Sequence, residues 1–516
     1  MSQPTISTQG SATILARTAQ GASWVIAWRL VTRLLGLVST LILVRLLAPE
    51  DFGIIALAAA FAVTLDVCLA IGLEDQIVRA EVPSRALYDT AFTLGLLRAA
   101  LVASLLMLAA APAATFFADE RMYSVLLALA ASAILSGFAN IGVVEFRRYL
   151  QFEREFLLQL LPRIIGIVTT VGLAWWWRDH WALVVGILVN RIGILVMGYV
   201  LHPYRPRLSL QEWRGLIGIS AWSWAISLAT LLRDRSDTLV IGRVMGPTSV
   251  GHYSVGVEIA TLPTTELVDP ICRACMPGFA ATRRQGGQDG EHDYLRILAL
   301  LALFTFPAGF GVSLMAGPIV ALAFGQAWLP AVPVILVLGL AGMIAPFGNV
   351  SSAMLSAHAR LRNILFIVLA AGTVKLGLLV ALTPSLGLPG AAFAVGLGAL
   401  VESVLLVGSA LRLLGVGPGA LLRRLWRPVW SAAMMALALW LTGLGWVATP
   451  ESAGAAVRVL LPGVALGAGI YVVSVTTLWW MRGRPSGAEA DLLMLIGRAL
   501  RRVLRARGAT PAGQEV

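Results

Sequence analysis

The run WALVVGILVNRIGILVMGYVL, residues 181–201, decides the class of fold. It carries a single charge, Arg191, and is as long as the roughly 20 mostly apolar residues that a helix needs to cross a bilayer. The same ruler laid along the chain predicts fourteen spans. The first six are roughly 22–46, 53–73, 88–111, 122–143, 157–177 and 181–201. The next six are roughly 215–242, 250–271, 295–316, 330–351, 363–383 and 388–411, and the last two roughly 428–448 and 457–480. Pro and Gly punctuate the joints, as at Pro49, Pro112, Pro203, Pro247, Pro384, Pro389 and Pro450.

Composition agrees with that reading. Of 516 residues, 58% are hydrophobic and 13% charged, against about 25% charged in an ordinary soluble domain. Half the usual charge cannot cover a soluble surface of this size, and disorder requires low hydrophobicity. The expected class is an all-α polytopic membrane protein. Three cysteines give no disulfide framework, and the Cys272/Cys275 pair has no His or second Cys pair at metal spacing. The polar first twenty residues lead directly into a long apolar stretch, without the short apolar region and cleavage site of a secretory signal.

The net charge of +12 reads first as topology. With the N-terminus cytoplasmic, the inside segments hold 26 of the 39 basic residues and the outside segments only five: Arg45, Arg121, Arg178, Arg243 and Arg458. That is a strong positive-inside bias, and it places both termini in the cytoplasm. Nothing remains to indicate a nucleic-acid partner. In the tail, Leu492, Leu495, Ile496, Ala499, Leu500 and Val503 follow helical spacing, with Arg498, Arg501, Arg502 and Arg505 on the other side. Such a helix suits an anionic inner leaflet; a basic tail that only fixes topology reads equally well.

Two segments match at an offset of 198 residues: TLILVRLLAPEDFG (40–53) and TLVIGRVMGPTSVG (238–251). Thr, Leu, Arg, Pro and Gly recur at equivalent places, so Arg45, Pro49 and Gly53 correspond to Arg243, Pro247 and Gly251. Each copy ends an odd-numbered span. Six spans separate them, so the halves run parallel, the arrangement of alternating-access transporters.

The segment RLLAPEDFG (45–53) resembles the signature of bacterial polysaccharide and O-antigen flippases of the multidrug/oligosaccharidyl-lipid/polysaccharide exporter superfamily. Further resemblances are FRRYLQF (146–152), YRPR (204–207) and RSDTLVIGR (235–243). The motif set is closest to the capsule and exopolysaccharide branch. The resemblance implies a non-enzymatic transporter with two six-helix lobes, two extra helices and a central cavity. On the spans above, the lobes are 1–206 and 207–412, the added helices fall in 413–482, and 483–516 is the tail. The implied activity is movement of an undecaprenyl-diphosphate-linked oligosaccharide from the inner to the outer leaflet of the plasma membrane. Other polysaccharide-assembly proteins are candidate partners, and one chain of fourteen helices suffices as a monomer.

Ionisable groups inside a bilayer are costly and face protein or a watery cavity. The first lobe holds Arg29, Arg33, Asp66, Arg98, Arg163 and Arg191 within spans. Arg33, Arg98 and Arg191 lie near the midplane, and Arg29 shares a helix face with Arg33. Five arginines against one carboxylate suit a diphosphate, which guanidinium groups bind through paired donors. Arg29, Arg33, Arg98 and Arg191 are therefore the substrate candidates; the alternatives are a snorkelling Arg29 and an Arg33–Asp66 pair. In the second lobe, Glu258 and Glu402 could exchange H⁺ or Na⁺ during transport, and Lys375 could neutralise Glu402. No other cofactor is expected. Residues Arg233–Asp237 read as an internal salt-bridge knot. Trp175–Trp177 reads as an interfacial anchor, and Trp222 and Trp224 read as packing. A drug exporter of the same fold predicts an acidic, aromatic cavity, opposite in sign to this first lobe. A polymerase or ligase predicts a sizeable outer loop, and the outside loops here are short.

Overall fold

The computed structural model describes residues 31–494 except 71, 81–82, 150, 217–220, 285–289, 447–449, 485–486, 491 and 493. Arg29, the side chains of Cys272 and Cys275, and the tail beyond Met494 lie outside the described residues. Among the described residues the chain is helical and contains no strand. It divides into two compact units, Met1–Ser254 and Val255–Val516.

The first unit opens with α1 (31–46) and α2 (Pro49–Cys68), separated by a turn that Pro49 starts and Asp51 fastens. The Asp51 carboxylate accepts the Ala48 N–H at 3.0 Å, which satisfies one donor at the helix start. There follow α3 (Leu73–Arg79), α4 (Arg85–Phe117) and α5 (Arg121–Gly137). Ser84 caps α4 by accepting the Leu87 N–H at 3.0 Å. A short 3₁₀ turn at Ile141–Val143 leads into α6 (Val144–Arg148), and the path from α5 through α6 bends by 66°. The predicted fourth span (122–143) therefore ends as a helix at Gly137, where the chain turns to the buried Asn140.

Next come α7 (Phe152–Trp177) and α8 (Trp181–Leu201), packed closely along their length. Small residues make that approach possible: a methyl at Gly166 would stand 3.1 Å from the Asn190 Cβ, and one at Gly193 would stand 2.8 Å from the Pro162 Cβ. Helices associate in a bilayer through such close van der Waals packing, because lipid tails compete with any larger apolar side chain. After the short α9 (Trp213–Leu216), α10 (Ala221–Met245) packs on α2, and the unit ends within α11 (Pro247–Arg284). The first unit thus takes in α10.

The second unit contains the rest of α11, then α12 (Gly290–Leu314), α13 (Ala316–Ala323), α14 (Val332–Ala341) and α15 (Ala345–Ala357). A 3₁₀ segment at Gln326–Ala331 runs into α14, and a 45° bend before α15 breaks the predicted tenth span (330–351), with Pro346 in the first turn of α15. Residues Leu361–Leu414 form α16, whose two limbs meet at Gly387 (φ 64°, ψ −142°) between Pro384 and Pro389. These limbs correspond to the predicted spans 363–383 and 388–411. The unit closes with α17 (Pro418–Leu441) and α18 (Ala453–Met481), which pack on each other and on α12. Its core holds Tyr294, whose hydroxyl bonds the Ser351 hydroxyl at 2.7 Å, and Tyr471, whose hydroxyl donates to the Leu303 carbonyl at 2.8 Å.

Seven of these helices are long and apolar enough to cross a membrane, or up to nine spans if each bent pair counts once. The protein is a multi-pass α-helical membrane protein. At the positions of predicted spans 1, 7, 8 and 13 stand α1, α10, α11 and α17.

Candidate functional site

The first unit contains a polar cavity of about 460 Å³ whose wall includes Glu74, Arg98, Asn140, Arg147, Glu155 and Gln159. Its charged groups differ in how fully they are engaged. Arg147, on α6, is held between Glu74 (3.1 Å) and Glu155 (2.6 Å). Arg98 projects from α4 and meets the half-exposed Asp66 of α2 at 3.3 Å. An ion pair with so exposed a partner contributes at most about 1 kcal/mol. The Arg98 Nε is buried and has no hydrogen-bond partner among the described residues. A buried donor left in that condition costs about 1–3 kcal/mol, more when charged. Arg98 is therefore a cation with donor capacity to spare, in the wall of a cavity.

An Arg33–Asp66 pair is the alternative to a substrate role for Arg33 in the sequence; the structure shows Asp66 beside Arg98. Arg33 lies half-buried on α1, and Arg191 is exposed on α8 one residue beyond the Asn190 that packs on Gly166. The Arg163 guanidinium reaches α1, 3.1 Å from where a Gly36 methyl would stand. In α10, Arg233 pairs with Asp234 at 2.8 Å, and Asp237 accepts the Tyr253 hydroxyl at 2.6 Å. The Trp224 indole N–H donates to the Cys68 carbonyl at 3.2 Å, so that tryptophan ties α10 to the end of α2. In the second unit, Lys375 is buried against Gly398, one turn before the half-buried Glu402, and Glu258 is half-buried on α11.

Sequence reasoning missed the network that shapes the cavity's base. Asn140 is 1% exposed, and its amide donates to the carbonyls of Gly198 (3.1 Å), His202 (3.3 Å) and Tyr204 (3.1 Å). Its oxygen accepts the Gly142 N–H at 3.0 Å. Glu145 accepts the Tyr88 hydroxyl at 2.9 Å and lies 3.1 Å from the His202 Nε2. Asp89 accepts the Tyr204 hydroxyl and, at 3.0 Å, the Arg207 N–H. Burial, and then the Asp89 carboxylate, push the Tyr204 phenol well above its usual value of 10. The strand-like stretch 202–210 is thereby laid along the start of α4. The YRPR segment was legible as a motif, but nothing in its spacing named Asn140 or Asp89 as partners.

At the opposite end of α2 the two repeat segments meet. A methyl at Gly53 would stand 2.5 Å from the Pro247 carbonyl carbon and 3.0 Å from the Gly251 nitrogen. One at Gly251 would stand 2.7 Å from the Pro49 carbonyl carbon. Each glycine thus receives the other copy's proline carbonyl. Arg243 stacks on the Phe116 ring at 5.2 Å, and Arg45 is exposed.

The second unit carries an apolar groove of about 690 Å³ between α12, α17 and α18, walled by residues such as Leu303, Pro307, Met315, Leu439, Tyr471 and Val475. Glu489, paired with Arg427 at 3.2 Å, is the acidic group at its edge.

A family model described as polysaccharide biosynthesis protein matches residues 42–333. The chain belongs to that family. The match takes in Gly53, Asp66, Arg98, Arg191 and Gly251, and it agrees with the flippase resemblance carried by the motifs at 45–53 and 235–243. Among curated relatives, the lipopolysaccharide biosynthesis protein WzxC of Escherichia coli (strain K12) is 25% identical, over 67% of this chain and 70% of that one. The succinoglycan biosynthesis transport protein ExoT of Rhizobium meliloti (strain 1021) is 26% identical, over 65% and 68%. The fold is similar to that of the lipid II flippase MurJ in an inward closed conformation: TM-score 0.69, 13% identity, 89% of this chain and 99% of that one. It is also similar to an inward-facing MATE-family multidrug resistance transporter of the MOP superfamily, with TM-score 0.53, 16% identity, and coverage of 76% and 96%.

Proposed function

We propose that this protein flips an undecaprenyl-diphosphate-linked oligosaccharide from the cytoplasmic to the outer leaflet of the plasma membrane, by alternating access, in polysaccharide, exopolysaccharide or O-antigen assembly. The observation that carries the reading is the family match over residues 42–333, with relatives named for lipopolysaccharide biosynthesis and succinoglycan transport.

An amphiphilic cargo of this kind needs two surfaces of opposite character, and each unit offers one. The cavity of the first unit presents Arg98, whose guanidinium keeps one donor unspent and suits a diphosphate oxygen. Arg33, Arg191 and Arg29 are assigned to the same anion along its path. The groove of the second unit presents almost only carbon, which suits a polyprenyl chain. Asp66, Glu258, Lys375 and Glu402 are assigned to ion exchange or internal pairing. The arginine distribution puts both termini in the cytoplasm, where the basic tail meets anionic lipid. The Gly53–Pro247 and Gly251–Pro49 contacts then close the outer end.

The test is deletion, followed by assay of surface polysaccharide and of lipid-linked intermediates in each leaflet. Loss of polymer with intermediates held on the inner leaflet is expected. Normal export, or polymer loss with intermediates already on the outer leaflet, would refute flipping; the latter would point to a polymerase or ligase.

A further inference from the structure

A second constellation lies in the first unit, away from the polar cavity, where the α7–α8 turn meets the first turn of α2. Arg178 takes a left-handed conformation (φ 52°) at the end of α7, so the next two residues turn back toward α2. His180 is 5% exposed, and neither of its ring nitrogens makes a hydrogen bond among the described residues. Its Nε2 is an unmet demand, because each ring nitrogen is a donor, an acceptor or a metal ligand, and its Nδ1 has only carboxylates before it. Its Nδ1 is aimed at two carboxylates: Asp51 Oδ1 at 3.9 Å and Asp179 Oδ1 in direct contact. One ligand atom from each of Asp51, Asp179 and His180 lies within 4.8 Å of the others.

The surroundings prepare these groups for a cation. Asp51 is 6% exposed and its other oxygen is fixed by the Ala48 N–H, so Oδ1 is the free end of an oriented carboxylate. The nearby cation Arg121 is engaged elsewhere, by Asp119 at 2.8 Å and Glu50 at 3.5 Å. The local balance is therefore acidic around an imidazole.

We propose that Asp51, Asp179 and His180 form a divalent transition-metal site of the zinc class, with water in the fourth position. One imidazole nitrogen and two carboxylate oxygens are donor types that zinc accepts, and the imidazole favours it over magnesium or calcium. A tetrahedral ion with bonds of about 2.0–2.1 Å sets its ligands about 3.3 Å apart, so the Asp51–His180 separation of 3.9 Å closes slightly and the direct Asp179–His180 contact opens to admit the ion. The bound ion staples the α7–α8 turn to the first turn of α2, two residues from Gly53. It therefore fixes the segment that packs on the Pro247 turn.

The test uses the purified full chain, stripped with EDTA and titrated with Zn²⁺ and with Co²⁺ as a visible-absorbing probe. Expected are one Zn²⁺ per chain by elemental analysis and Co²⁺ d–d bands that Zn²⁺ displaces. His180→Ala and Asp179→Asn should each weaken binding at least tenfold. Asp179 is half-exposed, so its variant tests the site even if His180→Ala fails to fold. His358→Ala, at a histidine of the second unit, should bind as wild type. Substoichiometric metal, absent Co²⁺ bands, or binding that both site variants leave unchanged would each overturn the proposal. So would metal-independent behaviour, in which acid alone strengthens the His180 contacts and metal adds nothing to thermal stability.

Discussion

Replacing Gly53 by alanine places one methyl group where the geometry has no room for it. The new carbon would stand 2.5 Å from the Pro247 carbonyl carbon and 3.0 Å from the Gly251 nitrogen. Carbon atoms in good contact sit about 3.5–4.0 Å apart, so the Pro49 and Pro247 turns must separate by about 1 Å. Backbone forms both sides of the clash, so no side-chain rotation relieves it. Overpacking of this kind costs about 1–3 kcal/mol, a shift of roughly 5- to 150-fold against the closed arrangement. The reporter is Val250→Cys, at a fully buried position beside the contact, in a background with Cys68, Cys272 and Cys275 changed to serine. Labelling by a membrane-impermeant maleimide on whole cells should accelerate by that factor in Gly53→Ala, and polysaccharide export should fall while protein level holds. Gly251→Ala should act alike, since it meets the Pro49 carbonyl carbon at 2.7 Å. The double variant should cost less than the sum, because one separation accommodates both methyls. Unchanged labelling and export in both single variants would refute the closing role of the contact.

Arg98→Gln should reduce export about tenfold or more, as loss of a charge-assisted contact of about 1.5–3 kcal/mol requires. Asp66→Asn should cost less, and equal losses in the two would show the ion pair rather than the free donor to be what matters. Asn140→Ala removes a buried amide that serves three carbonyls; it should lower thermal stability by about 1–3 kcal/mol and quicken limited proteolysis within 202–210. Burial raises the Asp119 carboxyl, but Arg121's hydrogen bonds and charge outweigh it and hold the group below its ordinary 3.8. Its stabilising contribution is therefore complete at pH 5–8 and is lost only as pH falls below about 4; Arg121→Ala should flatten that acid limb in a thermal-unfolding series. Ala468→Phe, filling the apolar groove, should reduce export without reducing membrane insertion.

The membrane class and most helix positions were legible because hydropathy sums over a whole helix, whatever its rotation. Pairing was not. Whether Asp66 meets Arg33 or Arg98 depends on how α1, α2 and α4 are turned about their axes, and charge counting is blind to that angle. The bends after Gly137 and before α15 were hidden for a related reason: their residues are apolar enough to continue a span, and the turns come from Asn140's buried bonds and from Pro346. The repeat at 40–53 and 238–251 was visible as a pattern, while the reciprocal seating of glycine on proline carbonyl needed coordinates. His180 gave no signal, since a lone histidine after a tryptophan run has no metal spacing; only folding brings Asp51 beside it.

Gly387 joins the two limbs of α16 through one residue in a conformation that only glycine adopts readily. The consequence concerns how the chain enters the membrane during synthesis. With no connecting loop to park outside, neither limb can settle while the other waits in the translocation channel, so the two should leave it together as a ready-made hairpin. Epitope tags or inserted domains at this corner would be rejected during biogenesis, before transport could be measured at all.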